Sequence, residues 1–250
     1  MNRLRQLSRI NRRWLLVIVP VALLAGYLAV RLGSFVLHHI GYSPTDGFLE
    51  AYLAAPDKHP ELITDRTKPC PKAPFQLPST GFVGFLYNDP TEPYTILAPH
   101  TGVDIFGDGD VGTVPIYAAY DGYLTRLPDW ISAVIIRIPQ DPLDPSRQIW
   151  TYYAHMASLN GDQSYISAEF PPGTSEKFVK QGTLLGYQGL YAGAGAAPIK
   201  MHVHFSVVLS DDSGSFRNET RIQNTLDPSP YLGFNVNAAR NPTIPVQCGL

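Results

Sequence analysis

The stretch "KMHVHFSVV" sets His202 and His204 on either side of one valine in an otherwise apolar, β-branched run. Strand side chains alternate between faces, so the two imidazoles point one way while Val203 and Phe205 point the other. One face can then pack a core while the other presents two nitrogens side by side, as metal ligands or as bases. A solvated strand face carrying two histidines is the alternative, and the pair alone does not choose between them. In "APHTGVDIFG", His100 and Asp104 stand four apart with Gly102 between them and lead into a β-like run, a spacing that reads as a turn delivering two ligands. Imidazole nitrogen and carboxylate oxygen both suit zinc, whose catalytic sites take three protein ligands and leave a fourth position to water. His100, Asp104 and one histidine of the pair make that set. His155 ends a strand pattern in "YYAHMASL", so two imidazoles are left over for catalysis.

The elements that would carry these residues begin near Gly81. From there the chain reads as short β-prone runs, "FVGFLY", "YTILA", "VPIYAAY", "YLTRL", "AVIIRI", "IWTYYAHM", "TLLGYQG" and "VHFSVVL", broken by Gly, Pro and Asp. No amphipathic helix pattern separates them, which predicts an antiparallel all-β domain. A composition of 21 Gly and 23 Pro suits such a turn-rich chain better than a helical bundle. "GDGDVG", residues 107–112, satisfies G-x-G-x-x-G, but no helix pattern follows and Asp108 and Asp110 would repel a pyrophosphate, so it reads as a loop. As a calcium loop it lacks the closing acid.

Ahead of the β region, residues 1–13 hold five arginines and no acid, and an apolar run over 14–37 follows. Counted past Arg31 it is about 24 residues long, enough to cross a bilayer whose hydrocarbon needs roughly 20 in a helix. Arginines favour the cytoplasmic side, which predicts a single-pass anchor with the remaining chain outside the membrane. A cleaved signal peptide is the rival, disfavoured because "YLAVRLGS" offers no small-x-small site. Residues 38–80 read as a stalk with one short helical pattern capped by Thr45 or Asp46, 81–233 as the β domain and 234–250 as an irregular tail. Without the N-terminal arginines the chain carries 14 basic against 21 acidic residues, which leaves no footprint for nucleic acid. Cys70 and Cys248 both fall on the expected outer side and could pair or remain free.

The order "HTGVD", "YYAHM", "GTLLGYQG", "MHVHF" resembles the lysostaphin-like, LytM-type zinc endopeptidases, with H-x-x-x-D, a strand ending in histidine, a G-x-x-x-G-x-x-G approach and H-x-H. "DPSPYL", Asp227–Leu232, is similar to the segment that often closes that domain. The resemblance implies a sandwich-like β fold in which His100, Asp104 and His204 bind Zn2+ while His155 and His202 act on substrate or on the attacking water. It also implies peptidoglycan stem or cross-bridge peptides as substrate, and a bacterial cell membrane location with the catalytic domain extracytoplasmic. Other envelope proteins are possible partners, because some relatives bind or regulate other wall hydrolases without cutting; that is the alternative function. The chain departs from the pattern at Ala98, where family members often carry arginine, at Lys200 and Met201, where Gly-Pro is common, and at Ser206, where an acid often follows "HF". The connection over 157–178 is longer than usual. Tyr153, Tyr187 and Tyr191 are the candidates for shaping a groove around the site.

Overall fold

The computed structural model describes residues 12–40, 47–91, 93–240 and 242–249. Two compact units result, Met1–Gly41 and Tyr42–Leu250. The first is one helix, α1, over Arg12–Ile40, with Pro20 inside it. Here the expectation of a membrane anchor at 14–37 is corrected: among the described residues no helix is long and apolar enough to cross a membrane. The uncharged run Trp14–Val30 stops at Arg31. At helical rise it covers about 25 Å against a hydrocarbon thickness of about 30 Å. With the anchor goes the single-pass placement in a bacterial cell membrane. The basic residues of segment 1–11 and the cap candidates Thr45 and Asp46 lie outside the described residues. The short helix itself is present as α2, Phe48–Ala54, entered through Gly47 at φ 77, a left-handed conformation open to glycine at no steric cost.

The second unit is built on antiparallel strands, as the alternation predicts. They are β1 Phe82–Val83, β2 Val103–Phe106, β3 Pro115–Tyr117, β4 Gly122–Thr125, β5 Val134–Ile138, β6 Ile149–Ala154, β7 Lys177–Val179, β8 Leu184–Tyr187, β9 Val203–Leu209 and β10 Thr225–Leu226. The large sheet runs β1-β2-β9-β6-β5-β4-β7, with β10 also on β9, and β3 pairs β8 in a separate small sheet. "YTILA" forms no strand; it is a turn closed by the Thr95 to Ala98 bridge, leaving Leu97 80% exposed. Conversely, β7 straddles the end of the long 157–178 connection and is not legible in the sequence, since "KFV" offers too short a run to show a period.

Strand β9 explains why the site sits where it does. Val203, Phe205 and Val207 enter the main core with Ile105, Ile136 and Tyr153. On the opposite face Val208 packs with Ile135 and Trp150, backed by Tyr152 and Phe216. Both faces are therefore covered, and the polar residues His204 and Ser206 on the second face are buried with them. Side chains from 47–80 and 234–250 also join the packing: Tyr52 stacks on Phe82 at 4.5 Å, and Phe75, Leu77, Phe234 and Val236 lie in the main core. Cys70 and Cys248 form a disulfide across 178 residues of sequence. In a chain-entropy account, closing such a loop stabilises the fold by up to about 5 kcal/mol.

Candidate metal centre and cleft

Pairing register assembles the site. β2 lies against β9 with Asp104 directly opposite His204, and β6 lies on the other side with Ala154 opposite the same histidine. Directly opposed residues in a ladder hold their side chains about 5 Å apart, so the carboxylate and the imidazole meet without any loop contribution. His100 arrives from the turn before β2, with its backbone N–H on Asp89 O at 2.9 Å and its carbonyl accepting from Asn88 N at 2.8 Å. Gly102 is required between them, because a Cβ there would strike the Phe205 carbonyl and stand 2.9 Å from His204 Nε2.

Three donor atoms converge. His100 Nε2 to His204 Nδ1 is 2.9 Å, His204 Nδ1 to Asp104 Oδ1 is 2.9 Å, and His100 Nε2 to Asp104 Oδ1 is 3.2 Å. Ligands around a tetrahedral zinc with bonds near 2.0–2.1 Å stand about 3.3 Å apart, close to these edges. Proton accounting favours a cation at the centre. His100 Nδ1–H donates to Leu86 O at 3.0 Å, so its Nε2 presents a lone pair to the triangle when the ring is neutral. Asp104 adds an acceptor oxygen, and at most one proton, on His204 Nδ1, is left to separate three electron-rich atoms. The group is buried throughout, His100 being 1% and Asp104 2% exposed.

Electrostatics follow from that crowding. Burial alone would favour the neutral Asp104, yet the facing imidazoles of His100, His202 and His204 outweigh it and hold the carboxyl well below the usual range. Burial opposes charging His204 too, and is overcome by its hydrogen bond to Asp104 and by the facing carboxylates of Asp104 and Glu219, which push it up to about 10.

His155 and His202 stand apart from the triangle but beside it. Their ring centroids lie 4.5 Å from one another, and His202 Nε2 is 3.5 Å from Asp104 Oδ2. Each is oriented alike: His202 Nδ1–H donates to Lys200 O at 2.7 Å and His155 Nδ1–H to Tyr191 O at 2.8 Å. A carbonyl can only accept, so both rings keep Nε2 as the basic nitrogen. His155 adopts φ 72, a strained conformation for a non-glycine residue that turns the chain sharply after β6 and brings the ring back toward His202. Burial, reinforced by His202, pushes His155 down to about 3, and burial likewise lowers His202. The motif glycine Gly189 lets the chain pass this turn, since a Cβ there would stand 2.5 Å from His155 O.

A cleft of about 320 Å³ opens at His155, walled by Trp130, Ile131, Tyr152 and Tyr191, with Asp129 at its edge. Of the groove tyrosines expected from sequence, Tyr191 lines this cleft. Tyr153 does not: it points into the core, where its OH accepts from Ala119 N at 2.9 Å. Its strand neighbour Tyr152, on the opposite face, takes the cleft position, as alternation requires.

Sequence reasoning missed two neighbours of the triangle. Tyr94 stacks on His100 with centroids 4.5 Å apart, and Glu219 Oε2 lies 3.5 Å from His204 Nε2. Nothing in the local pattern marks either, although the missing acid at Ser206 was a signal that charge must come from elsewhere.

No family model and no curated protein match this chain. Among solved structures, it is similar to the antimicrobial peptidase lysostaphin from Staphylococcus simulans, with 23% identity over 53% of this chain and 43% of that one, at a TM-score of 0.33. It is also similar to Csd3 from Helicobacter pylori, with 19% identity over 64% of this chain and 35% of that one, at a TM-score of 0.36. A third is the catalytic domain of the prophage-encoded protein EnpA from Enterococcus faecalis, solved as a point mutant, with 22% identity over 60% of this chain and 93% of that one, at a TM-score of 0.30. The chain thus spans less than half the length of the first two.

Proposed function

We propose that this chain is a zinc-dependent endopeptidase that hydrolyses peptide bonds in peptidoglycan stem or cross-bridge peptides. The observation that carries the metal assignment is the buried triangle of His100 Nε2, Asp104 Oδ1 and His204 Nδ1 with edges of 2.9 to 3.2 Å. Two imidazoles and one carboxylate would hold the ion and leave a position open. Bound there, zinc supplies Lewis acidity that polarises a carbonyl and makes water a usable nucleophile near neutral pH. His155 and His202, with Nε2 unprotonated, would take a proton from the attacking water and return it to the leaving amine. Their Nδ1 hydrogen bonds to backbone carbonyls hold the rings in that orientation. The aromatic cleft beside His155 is where a peptide would lie. The choice of peptidoglycan as substrate rests on the motif resemblance.

The test is the full chain with one equivalent of zinc, incubated with peptidoglycan and assayed for new amine termini, with mass spectrometry of the released fragments. Amine release that a chelator abolishes and zinc restores is expected. Tight zinc binding without amine release would point to the regulatory alternative, and absence of zinc binding would contradict the metal centre.

A further inference from the structure

The geometry points to Glu219 as the positioning carboxylate of His204, holding its Nε2–H so that Nδ1 keeps a lone pair toward the metal; this rests on the metal-centre reading above. His204 turns Nδ1 into the triangle, which leaves Nε2 pointing the other way. That nitrogen is buried and makes no hydrogen bond within the described residues. What it faces is Glu219 Oε2 at 3.5 Å, long for a hydrogen bond and within ion-pair reach. Glu219 is itself anchored, because Thr101 Oγ1, one residue after His100, donates to the same oxygen at 3.1 Å. Its side chain is only 16% exposed.

With a divalent cation in the triangle the alternative tautomer is disfavoured on both sides. A neutral His204 with its proton on Nδ1 would aim an Nε2 lone pair at a carboxylate oxygen. With the proton on Nε2, that edge becomes a donor to Glu219 and the triangle receives three converging lone pairs, which a divalent cation satisfies. Carboxylate support of this kind also makes the ligating nitrogen more basic.

Glu219 lies in the segment that follows β9, far from the motif, and the fold secures that segment to the site. Phe216 packs against Trp150 and Tyr152 with centroids about 6 Å apart, and Ser210 bridges Phe216 across the loop. Meanwhile Ser206, on the same face of β9 as His204 and two residues on, is fully buried with its Oγ unpartnered among the described residues. A neutral, short side chain thus stands where the motif often has an acid, and the acid comes in from the following loop.

The test is zinc affinity of the full chain, measured by competition with a chromophoric chelator, for wild type, Glu219→Gln and Glu219→Ala, with thermal melts of the metal-free proteins as a fold control. Loss of an outer carboxylate costs about 10- to 100-fold in metal affinity. Glu219→Ala should show that loss, and Glu219→Gln a smaller one of at least about threefold, since its amide oxygen still accepts from Nε2–H without the charge. If Glu219→Ala does not fold, the isosteric Glu219→Gln decides by the same threshold. Affinities within threefold of wild type in every folded variant would overturn the assignment while leaving the metal centre intact. A wild type that takes up no zinc would overturn both.

Discussion

Two buried aspartates of the β unit show what a closed ionic site looks like beside an open one. Asp141, wholly buried, has a true donor for each need: Arg147 Nε and Tyr231 OH both reach Oδ2 at 2.7 Å, and Leu143 N reaches Oδ1 at 2.8 Å. Asp104 is equally buried, but its neighbours His100 and His202 both spend their Nδ1 protons on backbone carbonyls. In their neutral forms they offer it lone pairs. A carboxylate that the protein satisfies by itself holds the fold together, whereas one facing three imidazoles that bring at most one proton to it, from His204 Nδ1, calls for a cation.

That contrast breaks most sharply on Asp104→Asn. Zinc affinity should fall by about 250-fold, the share that one of three ligands carries in a binding free energy of order 10 kcal/mol. Amine release should drop to background, and the melting temperature of the metal-free protein should change little. Chelator competition and thermal melts read both, and a metal-free variant that unfolds would place Asp104 with Asp141 as a structural group. Next in size is His155→Ala, expected to keep zinc and lose about 10²- to 10⁴-fold in turnover, the range of a general acid–base group. Loss of metal there would show that the leftover imidazoles and the triangle are not separate.

Asp141→Asn should do the reverse of Asp104→Asn. Removing the charge from a buried, fully paired carboxylate is expected to cost about 2–4 kcal/mol of stability in denaturant unfolding, with zinc affinity of the folded protein unchanged. A shift in affinity without a shift in stability would sink the comparison. The smallest effect sharpens it: zinc at a hundred times its Kd should stabilise the wild type by about 2.7 kcal/mol and leave His204→Ala unmoved.

Much of this site was legible because its logic is local and periodic. Strand alternation puts His202 and His204 on one face from two residues of spacing, and four residues from His100 to Asp104 place a turn before a strand. The register that sets Asp104 opposite His204 is a long-range pairing and had to come through the family pattern. Glu219 and Tyr94 escaped for a related reason: each reaches the triangle from a loop, where no period marks which side chain turns inward. Tyr153 and Tyr152 show the cost of a one-residue ambiguity, since neighbours on a strand face opposite ways and only the sheet's own packing assigns core and cleft. In α1 the basic-then-apolar signal overstated the span, because Arg31 interrupts the run that the helix continues through. The pairing of Cys70 with Cys248 depends on where both chain ends of the β unit pack, which spacing alone cannot fix.

The central claim is that His100, Asp104 and His204 share one ion. X-ray absorption at the zinc edge of the zinc-loaded full chain tests it most directly. The account predicts one zinc per chain in a shell of nitrogen and oxygen near 2.0–2.2 Å, free of sulphur and with imidazole scattering that weakens in His100→Ala and His204→Ala. A protein that binds no zinc, or a zinc shell unaltered in both variants, would contradict it.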